Sequence, residues 1–214
     1  MAALTRRESQ QQSLRRDVID AALTQLDEGG STAVNWRALA RSVGVSPSTL
    51  YTYFDSLDAL YTALILEIYE QMADEVSRDV DDGASPAARL TEASRGYRRF
   101  AATYPSRFTL VFTDVLAGYI APVGGPTIDA QVKVMAPLVD AIAELRGYEH
   151  GELESWSPSD RFDAVAAWSQ LHGFVSLEVN HHLVWMDDID REFTTLVDDL
   201  VARLSRRAPA GPTD

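Results

Sequence analysis

Residues 36–54, WRALARSVGVSPSTLYTYF, constrain what this chain can fold into more than any other stretch. Leu39, Ala40 and Val43 give the first half a single apolar face at helical spacing. Asn35 stands where an N-cap belongs, and Gly44 follows the last helical residue, where a left-handed turn is easiest without a Cβ. Ser46-Pro47 then supply a cap and a first-turn proline for a second short helix through Phe54. Val45 and Leu50 complete the small core, and Ala40 is small where two helices must cross closely. Two short helices about so tight a turn form a helix-turn-helix, whose second helix fits the major groove of a duplex with its N-terminal residues near base edges.

The remainder also reads as helix. Leu14, Val18, Ala21, Ala22 and Leu26 follow spacings of three and four before Gly29-Gly30 stops them. Further helices are expected over 57–81, 85–104, 105–115, 128–145, 160–185 and from Asp188 to about Arg207. No alternating strand-like run and no Asn-Gly or Asp-Gly hairpin turn separates apolar segments. The fold class is therefore all-α with about nine helices. The expected organisation is a flexible basic arm over 1–12, a three-helix helix-turn-helix domain over 13–60, a second helical domain over 61–207 to which the resemblance described below gives ligand binding and dimerisation, and a disordered tail over 208–214. Residues 117–127, AGYIAPVGGPT, are the least regular internal segment and the expected entrance or lid.

Composition narrows the function. With 19 basic and 32 acidic residues the chain carries −13, a field that opposes general nucleic-acid coating or attachment to an anionic membrane. That charge is unevenly placed. Residues 1–62 hold six basic and seven acidic side chains, residues 63–214 hold 13 and 25, and residues 29–54 hold Arg37 and Arg41 with no acid. The absence of cysteine excludes disulfides, thiol catalysis, Cys-ligated zinc and iron–sulfur clusters. No apolar run is long enough for a transmembrane helix, and the N-terminal MAALTRRESQQQSLRR has no export-signal core, so a cytoplasmic location is expected.

The run from Arg15 to Leu60 closely resembles the DNA-binding domain of the TetR family of bacterial transcriptional regulators. The matching residues include Ala21-Ala22, Gly29, Leu39-Ala40, Gly44-Val45-Ser46, Leu50-Tyr51, Tyr53-Phe54 and Leu60. The resemblance implies a palindromic double-stranded operator, with Ser46, Ser48, Thr49, Tyr51 and Tyr53 on or beside the recognition helix. Asn35, Trp36 and Arg37 begin the supporting helix against the DNA backbone, and Arg6 and Arg7 lie in an arm that would reach an adjacent minor groove. One departure stands out: where the family often has a Lys that meets phosphate, this chain has Leu57 between Asp55 and Asp58, which removes one contact.

The second half resembles the Trp-His-Gly sensing domain of one TetR subgroup, through Trp168, His172-Gly173 and the segment YRRFAATYPSRFTLVF over 97–112. The candidate pocket for a small apolar or aromatic effector comprises Phe100, Tyr104, Phe108, Phe112, Tyr119, Met135, Trp168, His172 and Phe174. Val175, Val179 and His182 on one helix, with Phe193, Leu196, Val197, Leu200 and Leu204 on the last, are expected to build a four-helix homodimer interface. Packing of both stripes inside one subunit is the alternative. Tyr61, Leu64, Ile65 and Ile68 on the long fourth helix would transmit ligand binding to the operator-binding end.

No cofactor, metal or catalytic residue is expected. Glu178-x-x-His181-His182 with His172 is the one metal-like pattern, and no second Glu-x-x-His supplies the ligands it would need. Phosphate loops, nucleophile elbows and HExxH are absent. The reading is a ligand-responsive DNA-binding repressor. Its alternative is a dimeric ligand- or protein-binding module of the same fold that has lost operator binding.

Overall fold

Serine, proline and glycine set most of the helix boundaries. A computed structural model describes residues 6–112, 119, 125–148 and 156–206, with side chains from Gln10 onward. Among them are nine α-helices and no strand: α1 (Arg6–Gly29), α2 (Trp36–Ser42), α3 (Pro47–Leu50), α4 (Leu57–Ser77), α5 (Pro86–Thr103), α6 (Pro105–Phe112), α7 (Pro126–Leu145), α8 (Pro158–Val179) and α9 (Ile189–Arg206). Proline opens α3, α5, α6, α7 and α8, at positions where its missing N–H has no helical partner to lose. The segment 117–127, apart from Tyr119 and 125–127, lies outside the described residues, as do the tail and the centre of the 147–158 loop.

Two boundaries differ from expectation. α1 begins at Arg6 instead of near Leu14, because RRESQQQS contains only residues compatible with a helix and no Gly or Pro to stop it. Arg6 and Arg7 therefore sit on helical backbone instead of in an arm ahead of it. α8 ends at Val179 instead of near Trp185. Its C-cap is Asn180, His181 adopts φ 58, and the N–H groups of His181 and His182 donate to the carbonyls of Glu178 (3.0 Å) and Leu177 (2.8 Å). That is a Schellman termination with histidine at the left-handed position.

The residues divide into two compact units, Met1–Gln71 with Tyr104–Gln131, and Met72–Thr103 with Val132–Asp214. The expected 60/61 boundary falls inside α4, and α6 belongs with the helix-turn-helix. In the first unit Val18, Ala22, Leu26, Leu39, Leu50, Leu60, Leu64 and Ile68 are all essentially inaccessible. Arg107 of α6 joins three elements there. Its guanidinium donates to both carboxylate oxygens of Asp27 on α1 (3.0 and 2.6 Å) and to Gln71 on α4 (2.6 Å), while lying 4.2 Å over the Tyr104 ring. Tyr69 of α4 packs edge-on against Phe112 at 6.4 Å and donates to the Val111 carbonyl.

In the second unit α5 crosses the last turns of α4 at Gly96. Arg99 pairs there with Glu75 and with Asp79 (2.8 Å). Arg98 donates twice to Glu178 of α8, at 2.7 Å each, and reaches Asp190 of α9 at 2.7 Å, so one guanidinium ties three helices. Arg146, almost completely buried, pairs with Asp163, and Tyr148 donates to the buried Asp160 at 2.6 Å, which fastens the end of α7 to the start of α8.

Candidate nucleic-acid interface and internal cavity

α2 starts at a working cap. The Asn35 side chain accepts from Ala38 N at 2.9 Å and donates to the Ala33 carbonyl at 3.1 Å, so its carboxamide serves the helix start instead of reaching outward. Leu39 and Ala40 turn inward and are buried. At the other end Gly44 takes φ 72, Gly44 N donates to Arg41 O at 3.3 Å, and Val45 N donates to Ala40 O at 2.9 Å. This second Schellman termination sets the sharp turn that the sequence required of Gly44.

α3 is a single turn. Ser46 caps it by accepting from Thr49 N at 3.1 Å, and its hydroxyl also bonds the Ser48 and Thr49 hydroxyls at 2.8 and 2.7 Å. Beyond Leu50 the chain continues as turns to Phe54 rather than as helix. Two residues from outside hold this turn. Trp36 Nε1 donates to the Pro47 carbonyl at 3.0 Å and its ring lies 4.6 Å from that of Tyr51. Arg15 of α1 donates to the Tyr53 carbonyl at 3.0 Å while its guanidinium sits 4.4 Å over the Phe54 ring. The bracing by Arg15 is not visible in sequence, because the partners are 38 residues apart.

Exposed on this surface are Arg37, Arg41, Ser46, Ser48 and Tyr51, with Thr49 and Tyr53 partly covered. Tyr51 is 56% exposed, unusual for a large aromatic side chain that packs on a neighbour. Leu57 is half-buried at the first turn of α4. The side chains of Arg6 and Arg7 lie outside the described residues.

The nine candidate effector-binding residues are divided between the two units. Tyr104, Phe108, Phe112 and Tyr119 belong to the first unit, where Phe108 and Phe112 pack at 4.9 Å and Tyr119 meets Tyr61 at 6.0 Å. In the second unit Phe100 is buried and Phe174 packs on Phe193 at 5.6 Å. Of the nine, Met135 and Trp168 line a small cavity of about 20 Å³ among α5, α7, α8 and α9, too small to hold an effector unless the helices part. Leu90, Ser94, Leu138 and Leu171 form much of the remaining wall, and none of the lining residues is charged.

His172 lies behind Trp168, stacked on it at 5.3 Å, and the Tyr97 hydroxyl is 2.8 Å from His172 Nδ1. Burial pushes the His172 pKa below its ordinary value, which favours the neutral ring, and the tautomer of that ring sets which partner donates in the Tyr97–Nδ1 hydrogen bond. The metal-like pattern dissolves. Glu178 is held by Arg98, and α8 ends before His181 and His182, both exposed. Among the described residues no group of three or more His, Cys, Asp or Glu is placed to hold a metal ion.

The expected dimer stripe also needs correction. Val175, Phe193, Val197, Leu200 and Leu204 are at most 4% exposed within the single chain, so they form its own core. Val179 and Leu196 are half-buried, and His182 is exposed beyond the helix end. Outward-facing apolar side chains in the second unit lie on α8 and just beyond it, at Phe162 (70% exposed), Val165 (60%), Leu177 (46%), Val184 (80%) and Trp185 (72%), and on α7 at Val132 (61%), with Ile128 of α7 exposed in the first unit. Among the described residues no helix is long and apolar enough to cross a membrane.

Comparison with known proteins gives matches over both halves. Residues 18–64 match the family model described as bacterial regulatory proteins, tetR family. Residues 90–200, more than half the chain, match the model described as tetracyclin repressor-like, C-terminal domain. An uncharacterised HTH-type transcriptional regulator of Mycobacterium tuberculosis, Rv0681, is 30% identical over 93% of this chain and 85% of its own length. The crystal structure of a regulatory protein designated SCO4313 superposes with TM-score 0.76 at 29% identity, covering 92% of this chain and 100% of that one. BioQ, crystallised with its natural double-stranded DNA operator, shares the fold with TM-score 0.58 at 21% identity, over 90% of this chain and 98% of its own.

Proposed function

The chain belongs to the TetR family of bacterial regulatory proteins, and from that premise we propose that it is a homodimeric repressor released from a palindromic operator by a small uncharged apolar molecule. As a TetR-family transcriptional regulator it is a DNA-binding protein and not an enzyme. The observation that carries the reading is the surface of α2 and α3. Over 29–54 there is no acidic residue, while Arg37, Arg41, Ser48 and Tyr51 are exposed there. Arginines and hydroxyls donate to phosphates, and Ser48, Thr49 and Tyr51 stand where a recognition turn meets base edges. BioQ, whose crystal contains its operator, shares the fold, which is consistent with operator binding by this chain.

Two further features support the regulatory part. The small cavity walled by Met135 and Trp168 has no charged lining residue, so an effector that parts the helices there would enter apolar surroundings, where an ion would lose hydration without gaining a partner and a neutral apolar ligand would not. The exposed α8 stripe suits an isologous contact with a second copy, which would hold two recognition turns about one DNA turn apart. Ligand would shift the balance between operator-competent and incompetent states through its different affinity for the two. α4, the α5–α6 junction and α7 are the continuous segments that would carry such a change along the chain.

The test is a gel-shift and footprint on the DNA upstream of the protein's own coding sequence. A specific complex is expected at low salt. Its affinity should fall as salt rises, because counterion release from the phosphates drives binding, while screening of the repulsion from the chain's net −13 moderates the slope. Tyr51→Ala should weaken the specific complex about tenfold or more while leaving it measurable at low salt. Lack of any specific complex at low salt sinks the operator reading. It would instead favour a sequestering protein of the same fold, the reading that Leu57 between Asp55 and Asp58 supports.

A further inference from the structure

A helix of one turn has no stability of its own, since nucleation fixes several residues for a single hydrogen bond. α3 is four residues long, and Tyr51 follows it. An exposed tyrosine at the end of so short an element would ordinarily exchange among rotamers and lose entropy on meeting a base. Here one aromatic face is covered. The Trp36 ring lies 4.6 Å from the Tyr51 ring at an interplanar angle of 40°, within the range of favourable aromatic pairs.

Trp36 is itself fixed at both ends. Its backbone is the first residue of α2, directly after the Asn35 cap. Its indole Nε1 donates to the Pro47 carbonyl at 3.0 Å, bridging the starts of α2 and α3. Tryptophan has only one side-chain donor, so this bond leaves it none to give a phosphate. The residue type and its position at the start of α2 suggested contact with the DNA backbone; the geometry gives it a different task.

We propose that Trp36 is a positioning residue: it sets the direction of the Tyr51 ring, and through Tyr51 it sets the base selectivity of the operator contact. The proposal rests on the operator reading above, and it assigns Trp36 no base or phosphate contact of its own. Orientation passes from the Asn35 cap to the α2 backbone, to the indole, and then to the Tyr51 ring.

The test combines a binding cycle with a DNA-free readout. Wild type, Trp36→Ala, Trp36→Phe, Tyr51→Ala and the Trp36→Ala/Tyr51→Ala double variant are titrated against the footprinted operator and a non-specific duplex of equal length. Trp36→Ala should cut the ratio of specific to non-specific affinity about tenfold, in line with losing one base contact, and leave non-specific affinity within about twofold. On the Tyr51→Ala background it should add less than about twofold, because the residue it acts through is gone. Trp36→Phe keeps a ring beneath Tyr51 without the indole N–H and should fall between wild type and Trp36→Ala; it serves as the reporter if Trp36→Ala melts early. Effects of Trp36→Ala and Tyr51→Ala that multiply, or an equal loss on both duplexes, overturn the proposal. In protein without DNA, the Tyr51 ring protons should show an upfield ring-current shift that Trp36→Phe reduces. Its absence in wild type overturns the positioning geometry whatever the DNA result. An intact shift with no specific complex overturns the operator reading, and the selectivity role with it.

Discussion

Gly96 and Gly173 show how much a single missing Cβ means in one place and how little in another. A Cβ at Gly96 would lie 2.5 Å from the Glu75 carbonyl oxygen and 2.9 Å from Val76 Cα, both backbone atoms that cannot step aside. Gly96→Ala should therefore push α5 off the end of α4 and cost about 1–3 kcal/mol, read as a lower melting temperature. Gly173 has no atom within 4 Å of its Cβ position, so Gly173→Ala should leave stability unchanged or raise it by up to about 1 kcal/mol through helix propensity. Equal melting of the two variants would contradict the close crossing. Sequence shows both as glycines inside helical periods and cannot separate them, since the deciding neighbour of Gly96 lies 20 residues away. Trp36 teaches the same lesson. Its place at the start of α2 was legible, whereas the direction of its indole depended on a carbonyl in another helix.

At the scale of the element, α2 and α8 end in the same hydrogen-bonded geometry and differ in how readable it was. Gly44 announces its left-handed position, so the end of α2 could be placed within a residue. His181 performs the same turn at φ 58 with a Cβ, and nothing in VNHHLVW marks it, so α8 was drawn too long and His182 was placed on a face it does not share. An L-residue there costs about 1–2 kcal/mol of backbone strain. His181→Gly should thus raise the unfolding free energy by about 1 kcal/mol in a denaturant titration. A loss of stability would mean that the exposed imidazole contributes more than its backbone position costs. The last helix was recognised correctly as an amphipathic stripe. Periodicity reports that a face is apolar but not whether its partner is the same chain or another, and burial of Phe193, Val197, Leu200 and Leu204 gives them to the same chain.

For the whole molecule, that reassignment moves the expected contact between copies onto the outward face of α8. Glutamate at both Val165 and Leu177 introduces charge at positions 60% and 46% exposed, where the isolated chain loses little by it. The double variant should keep its helical spectrum, elute at half the wild-type mass and lose the operator footprint. A variant that still elutes as a dimer would place the contact elsewhere. The helix-turn-helix and the all-helical class were legible in 36–54 and in the helical period. The void was not, because a cavity is defined by what facing helices fail to fill.

The Arg107 clamp bears on how this protein can be recombined. The helix-turn-helix looks like a detachable head that a cut near residue 60 would free for grafting onto another sensor. Yet α6 belongs to the same compact unit, and Arg107 anchors it to Asp27 and Gln71. A graft ending at residue 60 would leave Asp27 without its guanidinium and would discard the part of α4 that holds Gln71 and Tyr69. A transplantable reading head must instead carry two discontinuous pieces of chain, and its natural seam cuts α4 and α7 and passes between α5 and α6.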